Sequence, residues 1–378
     1  MRRLISLFAI SFFVLSSLCA PAHAEDIVIA QVAPLSGVLA DTGREMVLGG
    51  KIYFDHINAN GGINGRKIQH VVKDDGYVVD KTVELTREAI VQDKAIALFG
   101  FAGTGNISRL LSDGVLAQGN IPLVAPYTGG APLRDPYNPY IFHVRASYAD
   151  ETAAMVDFFV KNGMTRNAVM YQADPFGESG LAGVMSALRN YQLAPVVTAT
   201  YTKNTDDVAT AVKTIAATDP QAIIMVSINK STGNFVKQYA ATGKSALMFN
   251  ISVVNPKELM KIAGAAVRGV GITQVVPYPF FSSSKLSQEY LELLKRHGGA
   301  DAQPSYASFE EFIGAKVLVE GLKRAGKKLS RETLMQALES IENFDLGGGF
   351  KISYGKNNRI GSRYVDLTVI AENGQLRK

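Results

Sequence analysis

The sequence predicts an α/β chain folded as two lobes, and three observations carry the prediction. Short apolar, β-branched runs alternate with segments of helical period, the pattern of a parallel sheet covered by helices. Proline-rich stretches interrupt the alternation twice, at 126–140 and again at Pro277 and Pro279. Beyond the second interruption lie helices and strands that neither series has used, so two lobes share the C-terminal segments and a cleft runs between them.

The first series opens with a strand at 27–33. The helix at 42–60 follows, with Met46, Gly50, Tyr53, Phe54 and Ile57 on one face, and Gly61 and Gly62 stop it. A strand at 67–74 leads to a helix at 80–93, with Asp80 as its N-cap and Val79, Val83, Arg87 and Ile90 marking one side. A strand at 95–99, a helix at 104–118 and a strand at 121–125 complete the series, and a short strand at 141–145 follows the first interruption. The second series runs through helices at 150–162, 177–191, 205–217, 230–241 and 256–263. Its strands fall at 167–171, 196–201, 222–227, 246–250 and 270–275. Helical segments at 284–297, 306–325 and 331–341 come next, then strands at 350–353 and 364–371 around an Asn357-Asn358 turn. No internal repeat or low-complexity tract is visible in the sequence.

With 378 residues, 47% of them hydrophobic and 19% charged, the chain can bury one or two large cores. A disordered chain and a small disulfide- or metal-stapled scaffold are excluded. Arg2 and Arg3 precede an apolar run at 4–18 and a small-x-small site at Ala22-His23-Ala24, the pattern of a secretory signal cleaved after Ala24. Removing those 24 of 378 residues leaves 354, and loss of Arg2 and Arg3 lowers 39 basic residues to 37 against 34 acidic, a balance of +3. That excess forms no Lys/Arg cluster, so the charge pattern asks for neither nucleic acid nor an anionic membrane. Cys19, the one cysteine, sits inside the expected leader behind Leu18, where a lipidation site wants a small residue. No later stretch is apolar for long enough to span a membrane, and the expected product is exported.

Catalytic and metal chemistry find little support. His56, His70, His143 and His297 are scattered singly, without a second ligand at metal spacing. No Gly-x-Ser-x-Gly elbow, Gly-x-x-x-x-Gly-Lys loop or His-Glu-x-x-His occurs, and Asp74-Asp75 reads as a solvated or loop-capping pair ending a strand. The informative residues lie at the C-terminal ends of predicted strands, where open α/β sheets bind ligands. In Gly100-Phe101-Ala102-Gly103-Thr104-Gly105-Asn106, backbone N–H groups and the Thr104 hydroxyl lie at a helix start and either receive an anion or simply cap the helix. Tyr127, Thr128 and Gly129 follow the next strand and read either as a close-approach binding turn or as a plain surface turn. Phe176, between a strand and a helix, is a lid over a ligand or packing at the helix start.

At these residues the chain resembles the type I periplasmic substrate-binding proteins of branched-chain amino acid uptake systems. The resemblance covers the whole chain after the leader. It rests on Ala33-Pro34-Leu35-Ser36-Gly37, Asn58-Ala59-Asn60-Gly61-Gly62-Ile63-Asn64-Gly65, Asp74-Asp75, the Thr104 loop, Phe176-Gly177-Glu178 and the order of elements. It implies two Rossmann-like lobes joined by three crossover strands, with residues 25–145 and 277–348 in one lobe and 146–276 and 349–378 in the other. It implies Thr104, beside Gly103, as hydroxyl donor to a ligand carboxylate, Tyr127, Thr128 and Gly129 around the ligand's polar end, and Phe176 where the family often has a closing tyrosine. Ser36 and Thr42 border the cleft from the first-strand loop. A second aromatic of the closing lobe falls on Ile228, beside Asn229, and the acid that pairs with a ligand ammonium falls on Ser252. Burying an ammonium without its carboxylate is costly, since truncating one partner of such a pair costs ~3–5 kcal/mol. Either Asp174 or Glu178 substitutes, or the ligand is a carboxylate without an ammonium. The resemblance thus implies a non-enzymatic, monomeric periplasmic protein without cofactor or metal. It captures a hydrophobic or branched-chain amino acid, or a related small aromatic or branched acid, and delivers it to an inner-membrane ABC permease. A ligand sensor on the same fold is the other expectation.

Overall fold

The structure is a computed structural model and describes residues 25–281 and 284–377. The expected leader, its cleavage point and Cys19 lie outside the described residues. The first lobe is built on β1 (Ile27–Ala33), α1 (Ala40–Ala59), β2 (Ile68–Asp74), α2 (Val79–Val91), β3 (Ala97–Phe99), α3 (Thr104–Ser112), α4 (Val115–Gly119), β4 (Leu123–Val124) and β5 (Ile141–Phe142). Its five strands form a parallel sheet in the order β2-β1-β3-β4-β5, with Ile27 opposite Ile68 and Ala33 opposite Asp74. β1 is buried along nearly its whole length, as a parallel strand covered on both faces must be, which explains its unbroken apolar run.

The second series supplies α5 (Tyr148–Lys161), β6 (Asn167–Gln172), α6 (Pro175–Arg189), β7 (Val197–Tyr201), α7 (Ala209–Ala216), β8 (Ala222–Val226), α8 (Asn229–Ala241), β9 (Leu247–Asn250), α9 (Pro256–Ala263) and β10 (Gly271–Gln274). α10 (Lys285–His297), α11 (Tyr306–Ala325), α12 (Arg331–Glu339), β11 (Phe344–Asp345), β12 (Lys351–Ile352), β13 (Asp366–Ile370) and β14 (Leu376–Arg377) complete the chain. The second sheet has the order β14-β13-β10-β9-β8-β6-β7, and β13 and β14 are its antiparallel members. Numbered from its own start, the parallel part repeats the 2-1-3-4-5 order of the first sheet, a symmetry the sequence does not display. α10 and α11 return to pack on α1. There the helices approach so closely that a Cβ on Gly49 would stand 2.0 Å from the Ser308 carbonyl oxygen.

The chain passes between the sheets after β5, after β10 and after β12. The first and third passages are bridged at His143 and Ile360, with Gly361 N donating to His143 O at 2.8 Å. β11 and β12 pair with each other, so a lobe boundary at 348/349 falls inside the turn of a hairpin.

Several local expectations need correction. The helix expected at 104–118 breaks at Gly114, whose φ of +66° restarts the chain as α4. The α2 N-cap is Val78, and Asp80 instead sits in the first turn. Its buried face carries Thr82, Thr86 and Ala89, leaving Val83 and Ile90 half-buried on the flank and Arg87 exposed. The Thr82 hydroxyl donates to buried Asp75 at 2.6 Å, which draws that polar face inward. Helix α7 starts four residues later than the expected 205, because 205–208 stays in the loop that follows β7.

Candidate functional site

The C-terminal ends of both parallel sheets face each other, and the loops that follow the strands meet there. After β3, Gly103 adopts φ +92°, which brings the chain into α3 with Thr104 as its first residue. A Cβ on Gly103 would meet Tyr77 and Asn106 at 2.7 Å, so glycine is required by space as well as by φ. Thr104 is fully buried and does not cap α3; its hydroxyl lies 2.7 Å from that of Thr128. Thr128 also accepts from Gly130 N at 3.2 Å, and a Cβ on Gly130 would stand 2.3 Å from Thr104 Cγ2. Gly129 has its own reason for lacking a side chain, since a Cβ there would meet Tyr148 at 2.7 Å. Thr104, Thr128 and Gly129 thus form one buried polar corner at the C-terminal ends of the neighbouring strands β3 and β4, beside the switch point between β1 and β3.

Next to this corner, through Gly103, Tyr127 and Tyr148, lies a narrow cavity of about 20 Å³ that Leu39, Tyr77, Ala102, Phe176, Ile228 and Val253 also line; Thr104, Thr128 and Gly129 stand behind its wall. Phe176 comes from the second lobe, is buried, and meets Tyr148 edge-on at 5.4 Å. Its helix start is fixed by Asp174, whose carboxylate accepts from the N–H groups of Phe176 and Gly177 at 3.1 and 3.2 Å. Tyr77 holds φ +66°, uncommon for a bulky residue, and its ring carries the Lys203 ammonium at 4.0 Å.

The remaining expected site residues divide. Ser36 is exposed and donates its N–H to Asp74 at 3.2 Å. Thr42 and Asn229 are buried and join the lobes: Asn229 Nδ2 donates to Thr42 Oγ1 at 3.3 Å, and Asn229 Oδ1 accepts from Asn255 N at 2.7 Å. Ser252 is buried, but its polar atoms are engaged. Its N–H donates to Glu151 at 2.8 Å, its hydroxyl accepts from the Arg145 guanidinium, and its carbonyl accepts from Tyr127 at 3.4 Å. Neither expected substitute acid reaches the cavity wall. Glu178 is exposed, and Asp174 faces Lys203 at 3.7 Å besides capping α6.

Sequence reading missed Arg145, Tyr77, Tyr148 and Glu45. Arg145 follows β5 at the first crossing, is fully buried, and lies 4.7 Å over the Tyr127 ring. Burial opposes its charge, yet Glu310 at 3.3 Å and Glu151 hold it charged above the usual arginine range. Burial lifts Glu310 to about 7 even against the pull of Arg145. It lifts Glu311 well above its ordinary value as well, with Glu310 adding to the shift. The place where the family resemblance puts an ammonium-binding acid is therefore occupied by a serine tied to a charged guanidinium. Only the position of Arg145 at a strand end, just past the expected linker, signalled it. Among the described residues no group of three or more His, Cys, Asp or Glu is arranged to hold a metal ion.

Two α/β lobes with facing strand ends, a buried hydroxyl pair and aromatic walls from both sides define a two-lobed ligand-binding protein. Residues 26–375 match the family described as periplasmic binding protein, and the chain belongs to that family. Leu/Ile/Val-binding protein homolog 7 of Brucella abortus (strain 2308) is 24% identical over 93% of this chain and 91% of its own length. A substrate-binding periplasmic protein from Ralstonia solanacearum superposes with a TM-score of 0.89 and 38% identity, covering 93% of this chain and 99% of that one. A fatty acid ABC transporter substrate-binding protein from Thermomonospora curvata shares the fold at a TM-score of 0.81 and 20% identity, over 92% of this chain and 89% of the other.

Proposed function

We propose that the chain is the exported, ligand-capturing component of an ABC uptake transporter. It acts as a monomer that closes on a small hydrophobic carboxylate and delivers it to an inner-membrane permease. The lobes are 25–145 with 277–352 and 146–276 with 366–377, because the β11–β12 hairpin moves the last boundary from 348/349 into a third crossing at 353–365. In this reading the ligand carboxylate is received at the Thr104–Thr128 corner, where hydroxyl and backbone donors and the start of α3 favour negative charge. Its apolar body lies among Tyr77, Tyr127, Tyr148 and Phe176.

The observation that carries the ligand class is the Ser252–Arg145 contact. A ligand ammonium brought there would meet the Arg145 guanidinium and no free carboxylate, since Glu151 and Glu310 are committed to Arg145 and Ser252, so an aromatic or branched acid without an ammonium fits better than an amino acid. Among the described residues, no carboxylate lines the narrow cavity. The Thermomonospora protein of the same fold is named for a fatty acid, a carboxylate without an ammonium, which supports this reading. A branched-chain amino acid is the second reading, supported by the name of the Brucella relative. No step of bond making or breaking is required of any residue in the site.

Mass spectrometry of ligand released from the purified protein, with thermal shift against amino acids and their deaminated analogues, tests the proposal. A saturating acid raises the melting temperature by mass action. Stabilisation by leucine, isoleucine or valine, with no response to any deaminated analogue, selects the second reading.

A further inference from the structure

A second, larger cavity of about 210 Å³ adjoins the narrow one at Tyr127 and Val253. Tyr278, Phe280 and Phe281 of the second crossing and Tyr306 at the start of α11 wall it. The rings support one another: Tyr278 and Phe280 lie 5.2 Å apart, Phe280 and Tyr306 5.6 Å, and Phe281 stacks on Tyr278 at 5.5 Å while 62% exposed at the mouth. One carboxyl group enters this aromatic wall, that of Glu45 from α1, which accepts from Asn255 Nδ2 at 2.6 Å and has the Ser305 hydroxyl beside it.

Aromatic faces are negative and so is an ionised carboxylate, so the two together favour a cation over a neutral group of the same shape. The charged neighbours agree. Asp41 on α1 and Glu258 on α9 add negative potential at Glu45. Of the nearby lysines, Lys261 is paired with Glu258 at 2.6 Å, and Lys257 lines the cavity from an exposed position. The volume exceeds the ~150 Å³ of an apolar cavity able to hold benzene, enough for an alkylated ammonium group. We propose that this cavity is a binding site for an organic cation, a quaternary or alkylated ammonium, with Glu45 as counter-charge and Tyr278, Phe280 and Tyr306 as cage. The cavity shares Tyr127 and Val253 with the narrow one, and the proposal goes beyond the acid-binding reading by adding a cation subsite beside it, which the titration of a cation tests separately.

Burial holds the Glu45 carboxyl up at about 7, so binding of a cation strengthens as that proton leaves. The test is calorimetric titration of the full mature protein with choline and with its neutral carbon isostere, 3,3-dimethylbutan-1-ol, at low salt. Choline should bind at least tenfold more tightly than the isostere, and its affinity should rise about tenfold from pH 6 to pH 8. Glu45→Gln should lose at least tenfold and flatten that rise, and Phe280→Leu, at the half-buried mouth, should lose several-fold should the first variant fold poorly. Equal affinity for choline and the isostere, or a Glu45→Gln or Phe280→Leu variant that binds choline as the parent does, overturns the proposal.

Discussion

Thr104 shows how a residue that resembles an ordinary helix cap differs from one in its place. It opens α3, but its hydroxyl turns to Thr128 across the sheet and leaves Gly103 at the cap position. Thr104→Val keeps the shape and removes one donor; hydrogen bonds to charged groups contribute ~1.5–3 kcal/mol, so affinity for an acid ligand should fall about 10- to 100-fold by calorimetry. Gly130→Ala tests the same corner through space, because the new Cβ would drive into Thr104 Cγ2. A loss of about 1–3 kcal/mol in urea unfolding is expected, with weaker ligand binding alongside. Glu45 supplies a pH signature. The folded chain keeps its proton up to about pH 7, against an ordinary value of 4.5, with burial as the main cause and the Ser305 and Asn255 hydrogen bonds opposing it. Between those values the folded state binds more protons than the unfolded one, so stability falls as pH rises through that window and levels above it. Urea midpoints of Glu45→Gln at pH 5 and pH 8 should therefore differ less than those of the parent.

At the scale of elements, the ends of the strands were more legible than what crosses between them. The alternation of β-branched runs and helical segments located most of the helices and strands, because burial on both faces of a parallel sheet leaves a plain hydrophobic signal. The break between α3 and α4 was hidden, since it depends on the φ of Gly114 and not on any change of period. The inward face of α2 was misread because it is polar, its threonines bonded to Asp75 and to the α2 backbone. Thr104, Tyr127, Thr128 and Phe176 were recognisable because each follows a strand end, whereas Arg145 and Glu45 gain meaning only from partners far along the chain. The contact of α1 with α8 and α9 through Thr42, Asn229, Asn255 and Glu45 links the lobes on one side of the cleft. Asn229→Ala should release about 1 kcal/mol of this closure, a dissociation rate roughly five times faster in stopped-flow measurements with little change in association.

At the scale of the molecule, two sheets of the same 2-1-3-4-5 order face each other through their strand ends, and three passages of chain connect them. That arrangement permits hinge closure, in which ligand binding favours the form where both lobes contribute walls. Contacts such as Ala131 N with Ser179 Oγ at 2.8 Å and Lys203 with Asn106 at 2.8 Å join the two lobes across the cleft. The buried charges near the crossings, Arg145 with Glu151 and Glu310, meet the second lobe at Ser252, the position on which the proposed ligand class rests. The most direct measurement is a paired calorimetric titration of leucine against 4-methylpentanoate and of phenylalanine against 3-phenylpropanoate. The account predicts that in at least one pair the acid without an ammonium binds tenfold or more tightly than its amino acid, and that Thr104→Val weakens it. Tighter binding of both leucine and phenylalanine than of their deaminated partners would contradict the account.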